Sequence, residues 1–503
     1  MKSTLKRILT ISLIAVMLVT SSIFINVFTA PVTADAATNT WTGTVPKYIF
    51  LFIGDGMSYV QFASASDYLG HLEEEGKLVR SENLDFMNFP AAGSATTFDS
   101  TSFCPDSAST ATSISTGFKT HSGVINMDIS KTQKYETIAE KLKKQLGYKV
   151  GIVSSVGINH ATPAAFYAHQ ASRNNYYDIG LELTTSNFDY FGGGGFIQNT
   201  GKDNDKESLM DVAVKAGYKV VTTKADILNL NGNQKAMAIA PDLDDSDALP
   251  YEIDRAKGSL SLADYTRKGI DVLNNSKGFF MMVEGGKIDW ACHANDAMTT
   301  IKDTVAFADA VNEAIEFQKK HPAETLILVT GDHETGGLTI GYATTGYSTY
   351  LDVLSHQTMS YEAFDAKIEA WRTQKLSFSK AMETVKADFG LVTAANKASA
   401  TSEKLVLTAD EEKRLQDAYT MSMMATADRK LSESEKVLYG GYEPFSVTLT
   451  HLLNNKAGIG WTSYSHTGVP VAVFAQGAGE NLFNGYYDNT DIFVKLKAIT
   501  KVK

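Results

Sequence analysis

A serine directly after an aspartate opens the run Asp106-Ser107-Ala108-Ser109-Thr110-Ala111-Thr112. If this run begins a helix, its free N–H groups and the positive end of the helix dipole favour an anion. A serine hydroxyl held there is poised for phosphate chemistry once something lowers its pKa. Taken alone, the same pattern is satisfied by Asp106 or Ser107 serving as a helix N-cap. Asp289 and His293 lie four residues apart. On a helix they share one face, a two-ligand arrangement suited to zinc, although surface pairs show the same spacing. Asp332 and His333 directly follow an apolar run, where adjacent ligands on a sharp turn can reach one metal. His466 precedes another apolar run, and Asp55 and Glu284 add two more carboxylates. Together these residues supply enough nitrogen and oxygen ligands for more than one divalent cation. Two cations roughly 4 Å apart can clamp the attacking and leaving oxygens of an in-line displacement at phosphorus.

Such a set works only if the fold brings it together. Tyr48 to Ile53, Lys149 to Val153, Phe279 to Val283, Thr325 to Thr330 and Val469 to Phe474 are short apolar runs that read as strands. Tyr135 to Leu146, Ala294 to Lys320 and Ile492 to Ile499 carry helical spacing. The alternation predicts an α/β three-layer sandwich with a largely parallel central sheet covered by helices. Three of the strands run into Asp55, Glu284 and Asp332, and ligands of open α/β sheets bind outside the carboxyl ends of the strands. The stretch from about Leu338 to Asn455 breaks the rhythm, with tyrosine-rich segments and helical patterns such as Tyr361 to Trp371. It reads as an inserted subdomain rising from the core.

The chain has 503 residues, with 44% hydrophobic and 20% charged residues, which suits one large domain carrying an insertion. Lys2, Lys6 and Arg7 precede the apolar run Ile11 to Val19, and Ala34-Asp35-Ala36 is a small-x-small cleavage pattern. Residues 1–36 therefore read as a signal peptide. Polar Thr20, Ser21, Ser22 and Asn26 interrupt the apolar run before it reaches the roughly 20 residues of a membrane span. Cleavage removes three positive charges and one negative, taking the formal net charge from −11 to −13. An acidic surface argues against nucleic acid as a general partner, and an anionic substrate would need local positive charge from metals or arginine. The two cysteines, Cys104 and Cys292, can be free or paired, and the chain does not depend on a disulfide framework.

Six strings, IGDGM, PDSASTATSISTG, HATPAAFYAH, EGGKIDWACHAND, GDHETGG and SHTG, run from Ile53 to Gly468. They resemble, in the same order, those of the alkaline phosphatase family. The resemblance implies that residues 37–503 form a hydrolase of phosphate monoesters that uses two zinc ions and one magnesium and carries Ser107 as a phosphorylated nucleophile. It implies that Asp55, Asp332 and His333 hold the zinc beside Ser107. Asp289, His293 and His466 would hold the second zinc, and Thr162, Glu284 and a bridging Asp55 the magnesium. Arg173 would clamp the phosphoryl oxygens, a role its planar fork suits. His160 and Trp290 depart from the enteric bacterial pattern, which has Asp and Lys there, and resemble cold-adapted and marine bacterial members. His160 leaves two readings open: zinc in the third site, or, preferred, contact with a metal-bound water. Trp290 supplies no positive charge, so phosphate release is expected to be faster. The 338–455 insertion resembles an enlarged crown or interface loop, and the family is usually dimeric, so the resemblance implies a homodimer; secretion and the expectation of no specific membrane or nucleic-acid partner come from the leader and the acidic charge. The rival readings are a phosphodiesterase or sulfatase of the same superfamily, or a secreted zinc- or phosphate-binding protein without catalysis. Ser107, Arg173 and the complete ligand set disfavour both.

Overall fold

The structure is a computed structural model that describes residues 41–74 and 78–503. The signal peptide expected over residues 1–36 lies outside the described residues. Among the described residues, no helix is long and apolar enough to cross a membrane.

Ten strands form one sheet: β1 (Tyr48–Gly54), β2 (Ala91–Thr96), β3 (Lys149–Ser154), β4 (Tyr190–Gly193), β5 (Lys219–Val221), β6 (Ala236–Ile239), β7 (Phe279–Gly285), β8 (Thr325–Gly331), β9 (Val471–Gly477) and β10 (Gly485–Asp488). Their order is β10-β2-β9-β8-β1-β7-β3-β4-β6-β5, and β9 alone runs against its neighbours. The three central strands β1, β7 and β8 are buried along their whole length, which is why they read as unbroken apolar runs rather than alternating ones. Successive side chains still point to opposite faces. Phe50 and Phe52 join one apolar cluster with helices Leu262–Leu273 and Ala297–Lys320. Ile49, Leu51 and Ile53 join another with helices Ser107–Thr116, Ile138–Leu146 and Thr490–Thr500. The result is the three-layer α/β sandwich that the sequence predicts.

Register fixes where the acidic residues emerge. β1 pairs with β7 through Ile53↔Glu284 and with β8 through Gly54↔Gly331. Asp55 and Asp332 therefore leave the sheet at the same level on adjacent strands, while Glu284, level with Ile53, sits two residues lower on the other side of β1. Gly56 turns the chain after Asp55 with φ +70°, and a Cβ there would come within 2.9 Å of the Asp289 backbone. Only glycine combines that positive φ with so close an approach.

Several boundaries differ from the sequence expectation. The expected helix from Ala294 begins at Ala297, because Asp296 caps it through Ser/Thr-like acceptance from the Thr299 amide; a separate helix, Lys287–His293, precedes it. The helix expected from Tyr135 starts at Ile138, after a capping box between Thr137 and Glu140. The last central strand begins at Val471, after Pro470, whose ring cannot donate to the ladder. Cys104 and Cys292 are both free, one exposed and one buried.

Residues 338–455 contribute no strand to the large sheet among the described residues. Short strands Thr339–Ile340 and Ile459–Gly460 pair where the segment leaves and returns. Between them, helices Tyr361–Gln374, Phe378–Phe389, Ala409–Ser422 and Pro444–Ala457 bury Phe364, Phe389, Leu415 and Phe445 in the apolar cluster they share with helix Ala297–Lys320.

Candidate active site

Ser107 is the first residue of helix Ser107–Thr116. The cap is Asp106, whose Oδ1 accepts from the Ser109 amide at 3.1 Å. The Ser107 hydroxyl is thereby left free of local capping. It is 2% exposed and lies 3.4 Å from Asp55 Oδ1 and 3.2 Å from His333 Nε2. The helix is made almost wholly of Ser, Thr and Ala, all buried, so it can approach the strand ends closely.

Two ligand groups converge beside it. In the first, Asp55, Asp332 and His333 are all buried, with His333 Nε2 3.4 Å from both Asp55 Oδ1 and Asp332 Oδ2. Asp332 is fixed by the Gly56 and His333 amides and by the Thr110 hydroxyl. In the second, Asp289 and His293 share one face of helix Lys287–His293, as their spacing predicts if helical, and His466 meets them from strand His466–Thr467. His293 Nδ1 donates to the Tyr464 carbonyl at 2.6 Å and His466 Nδ1 to the Pro105 carbonyl at 2.5 Å. Their Nε2 atoms then face each other at 3.1 Å, within 3.3 and 3.6 Å of Asp289. Two imidazole lone pairs turned on one point beside a carboxylate call for a cation between them.

A third cluster lies beneath. Thr162 Oγ1 is 3.3 Å from Asp55 Oδ2, and Ser154 donates to Glu284 Oε2. Glu284 Oε1 is buried without a hydrogen-bond partner. The electrostatics agree with the geometry. Burial, then the charges of Asp332, Asp289 and Glu284, hold the Asp55 carboxyl well above its ordinary range. Burial and then Asp289 push Asp332 up to about 8, and burial pushes Glu284 up to about 7 despite its donors. Burial also opposes the charge on Asp289, but His293 and His466 outweigh it and hold that carboxyl well below the usual range. No lysine or arginine pairs with any of these four carboxylates among the described residues. So many buried carboxyl groups with no lysine or arginine beside them fit divalent cations, with mixed N/O sets suited to zinc and an oxygen-only set suited to magnesium.

The alkaline phosphatase family model matches residues 46–502, nearly all of the described chain. The chain belongs to the alkaline phosphatase family. Alkaline phosphatase 4 of Bacillus subtilis is 33% identical over 393 residues, covering 77% of this chain and 74% of that protein. Alkaline phosphatase 3 of the same organism is 31% identical over 455 residues, covering 89% and 87%. A cold-active alkaline phosphatase from a psychrophilic Shewanella superimposes with a TM-score of 0.72 at 28% identity, covering 90% of this chain and 99% of that one. Like other alkaline phosphatases, this chain is a phosphomonoester hydrolase.

Arg173, His160 and Trp290 form the rim. Arg173 Nη1 donates to Asp106 Oδ2 at 2.9 Å, and Nη2 to His160 Nε2 at 3.2 Å. Burial and then Arg173 hold His160 down to about 3, so it is a neutral acceptor, and its Nδ1 is buried without a partner. Trp290 meets the His160 ring edge-on, with centroids 6.0 Å apart.

Three residues carry alkaline phosphatase site contacts that sequence reasoning left out. Thr335 Oγ1 donates to Asp289 Oδ1 at 2.5 Å and lies 3.3 Å from His333 Nδ1, joining the two ligand groups. Ser154 donates to Glu284 and Thr110 to Asp332. Thr335 and Thr110 sit inside quoted strings, but a buried hydroxyl has no spacing signature that separates it from a core threonine.

Proposed function

We propose that the chain hydrolyses phosphate monoesters in two displacements, through a phosphoserine on Ser107. The observation that supports this most is the Ser107 hydroxyl itself: buried, released from capping by Asp106, and directed at Asp55 and His333. Asp55, Asp332 and His333 would hold one zinc beside it, Asp289, His293 and His466 a second, and Asp55, Thr162 and Glu284 a magnesium. When bound, divalent cations make a nearby hydroxyl or water easier to deprotonate and offset negative charge on a departing oxygen.

The chain's own residues supply the rest. The helix N-terminus at Ser107 favours the phosphoryl anion, and the Arg173 fork binds its oxygens while Asp106 holds the guanidinium in place. Ser107 Oγ attacks phosphorus as the alcohol oxygen departs opposite it; water then displaces Ser107 and leaves inorganic phosphate. Two in-line displacements retain configuration at phosphorus. Residues 1–36 would direct export and be removed. Segment 338–455 would border the active-site mouth and contact a second copy of the chain; in support of the first, its Glu362 reaches Lys287 at the start of the ligand helix and its Tyr361 contacts Tyr251.

The test combines zinc and magnesium analysis of the purified protein with turnover of p-nitrophenyl phosphate, bis(p-nitrophenyl) phosphate and p-nitrophenyl sulfate, before and after chelation. The monoester should dominate, and its turnover should fall with metal removal and return with zinc and magnesium. Dominant diester or sulfate turnover would overturn the proposal.

A further inference from the structure

Lys287 begins the short helix that carries Asp289 and His293, yet it belongs to neither ligand group. It is 1% exposed, and its Nζ is buried without a hydrogen-bond partner. A lysine ammonium in that state is costly unless something else compensates the charge. Here the compensation comes from aromatic rings and nearby carboxylates. Nζ lies 3.7 Å from the Tyr251 ring centroid and 4.9 Å from that of Trp290, both within cation–π range. Glu362 Oε2, on helix Tyr361–Gln374 of the inserted segment, stands 3.7 Å away. Tyr251 is in turn fixed by its hydroxyl contact with Tyr361 at 3.2 Å.

Followed outward, these contacts reach the rim of the site. Trp290 is three residues after Lys287, on the same face of the helix. Its indole abuts His160 edge-on, and His160 Nε2 accepts from Arg173 Nη2 at 3.2 Å. The other end of the guanidinium is held by Asp106, the residue that caps the Ser107 helix. Arg173 therefore hangs between Asp106 and a His160 whose ring is steadied by Trp290.

We propose that Lys287 is a positioning residue for phosphate binding: clamped between Tyr251 and Trp290, its ammonium fixes the indole against His160 and so sets the direction of the Arg173 fork. The same ammonium, through Glu362, ties the inserted segment to the ligand helix, so the segment's packing and the oxyanion clamp share one anchor. This rests on Arg173 being the phosphate clamp of the proposed function.

The experiment compares Lys287→Met, Lys287→Arg and Trp290→Leu in the metal-loaded enzyme, reading kcat, KM, the inhibition constant of inorganic phosphate, and bound zinc. Lys287→Met should raise KM and the phosphate inhibition constant about five- to tenfold, a fraction of what a desolvated cation–π pair is worth because the effect reaches phosphate only through Trp290 and His160, with kcat within about twofold and zinc retained. Lys287→Arg keeps the stacked cation and should restore phosphate binding to within about twofold. If Lys287→Met does not fold, Trp290→Leu removes the same link from its other side and should weaken phosphate binding to a similar degree. In an Arg173→Ala background neither change should weaken phosphate further. Unchanged phosphate affinity in both Lys287→Met and Trp290→Leu would overturn the positioning role. A further loss in the Arg173→Ala background would also overturn it, because the effect would then bypass the guanidinium. If Arg173→Ala alone left phosphate binding intact, the clamp reading would fail instead.

Discussion

Replacing Thr335 with valine removes one hydroxyl and little volume, and the structure says what that hydroxyl does. It donates to Asp289 Oδ1 at 2.5 Å, so its oxygen is left to accept from His333 Nδ1 at 3.3 Å. That places the His333 proton on Nδ1 and turns the Nε2 lone pair toward Asp55, Asp332 and Ser107. One buried hydroxyl thus orients a ligand in each of the two groups. A hydrogen bond to a charged group contributes about 1.5–3 kcal/mol, which corresponds to roughly 10- to 150-fold in an equilibrium constant. Thr335→Val should therefore weaken zinc binding about 10- to 100-fold, within the range seen when an outer-shell partner is lost. The assay is activity toward p-nitrophenyl phosphate against free zinc set with a chelator buffer, alongside direct zinc titration. The variant should need correspondingly more zinc, reach near-normal turnover when saturated, and keep the phosphate inhibition constant of the parent. Zinc affinity within twofold of the parent would refute the assignment of Thr335 as the bridge between the groups.

Arg173→Ala should raise KM and the phosphate inhibition constant by about tenfold or more while zinc content stays constant, read from initial rates and metal analysis. Acid should strip the metals, since binding needs deprotonated ligands: zinc content measured after equilibration at falling pH should drop cooperatively with activity and return on neutralisation with added zinc. His169 offers a stability test away from the chemistry. Burial opposes its charge, but Glu140 and Glu182 at 3.5 Å outweigh it and push its pKa up to about 9. Because the folded value lies above the unfolded value of about 6.5, this contribution is complete below about pH 6.5 and is lost as pH rises through about 9. By linkage it is worth at most about 3 kcal/mol. Urea denaturation should then show that His169→Gln costs most stability near pH 6 and little above pH 10; a cost independent of pH would contradict the ion-pair account.

The sequence carried the central architecture because β1, β7 and β8 are buried on both faces, and such strands appear as bare apolar runs that end where the carboxylates begin. It carried the Asp289/His293 pair because i,i+4 spacing is set by helix geometry alone. It could not separate Ser107 from Asp106 as the cap: that depends on whether Asp106 Oδ1 reaches the Ser109 amide, a matter of one side-chain torsion. Element starts depart from the apolar periodicity where a cap sets them, as at Thr137 and Asp296. The contact of His160 Nε2 with Arg173 Nη2, 13 positions on, has no local signature in the sequence. Lys287 carries no spacing signature in the sequence, since its aromatic clamp comes from Tyr251, 36 positions earlier in the chain, as well as from Trp290.

The central claim is that Ser107 Oγ takes the phosphoryl group. The direct measurement is rapid acid quench of the metal-loaded enzyme with a 32P-labelled monoester, followed by peptide mapping. The account predicts up to one acid-stable phosphate per chain, located on Ser107, and none in a Ser107→Ala variant that retains its zinc. A Ser107→Ala variant with full metal and parental turnover, or label found on another residue, would contradict it.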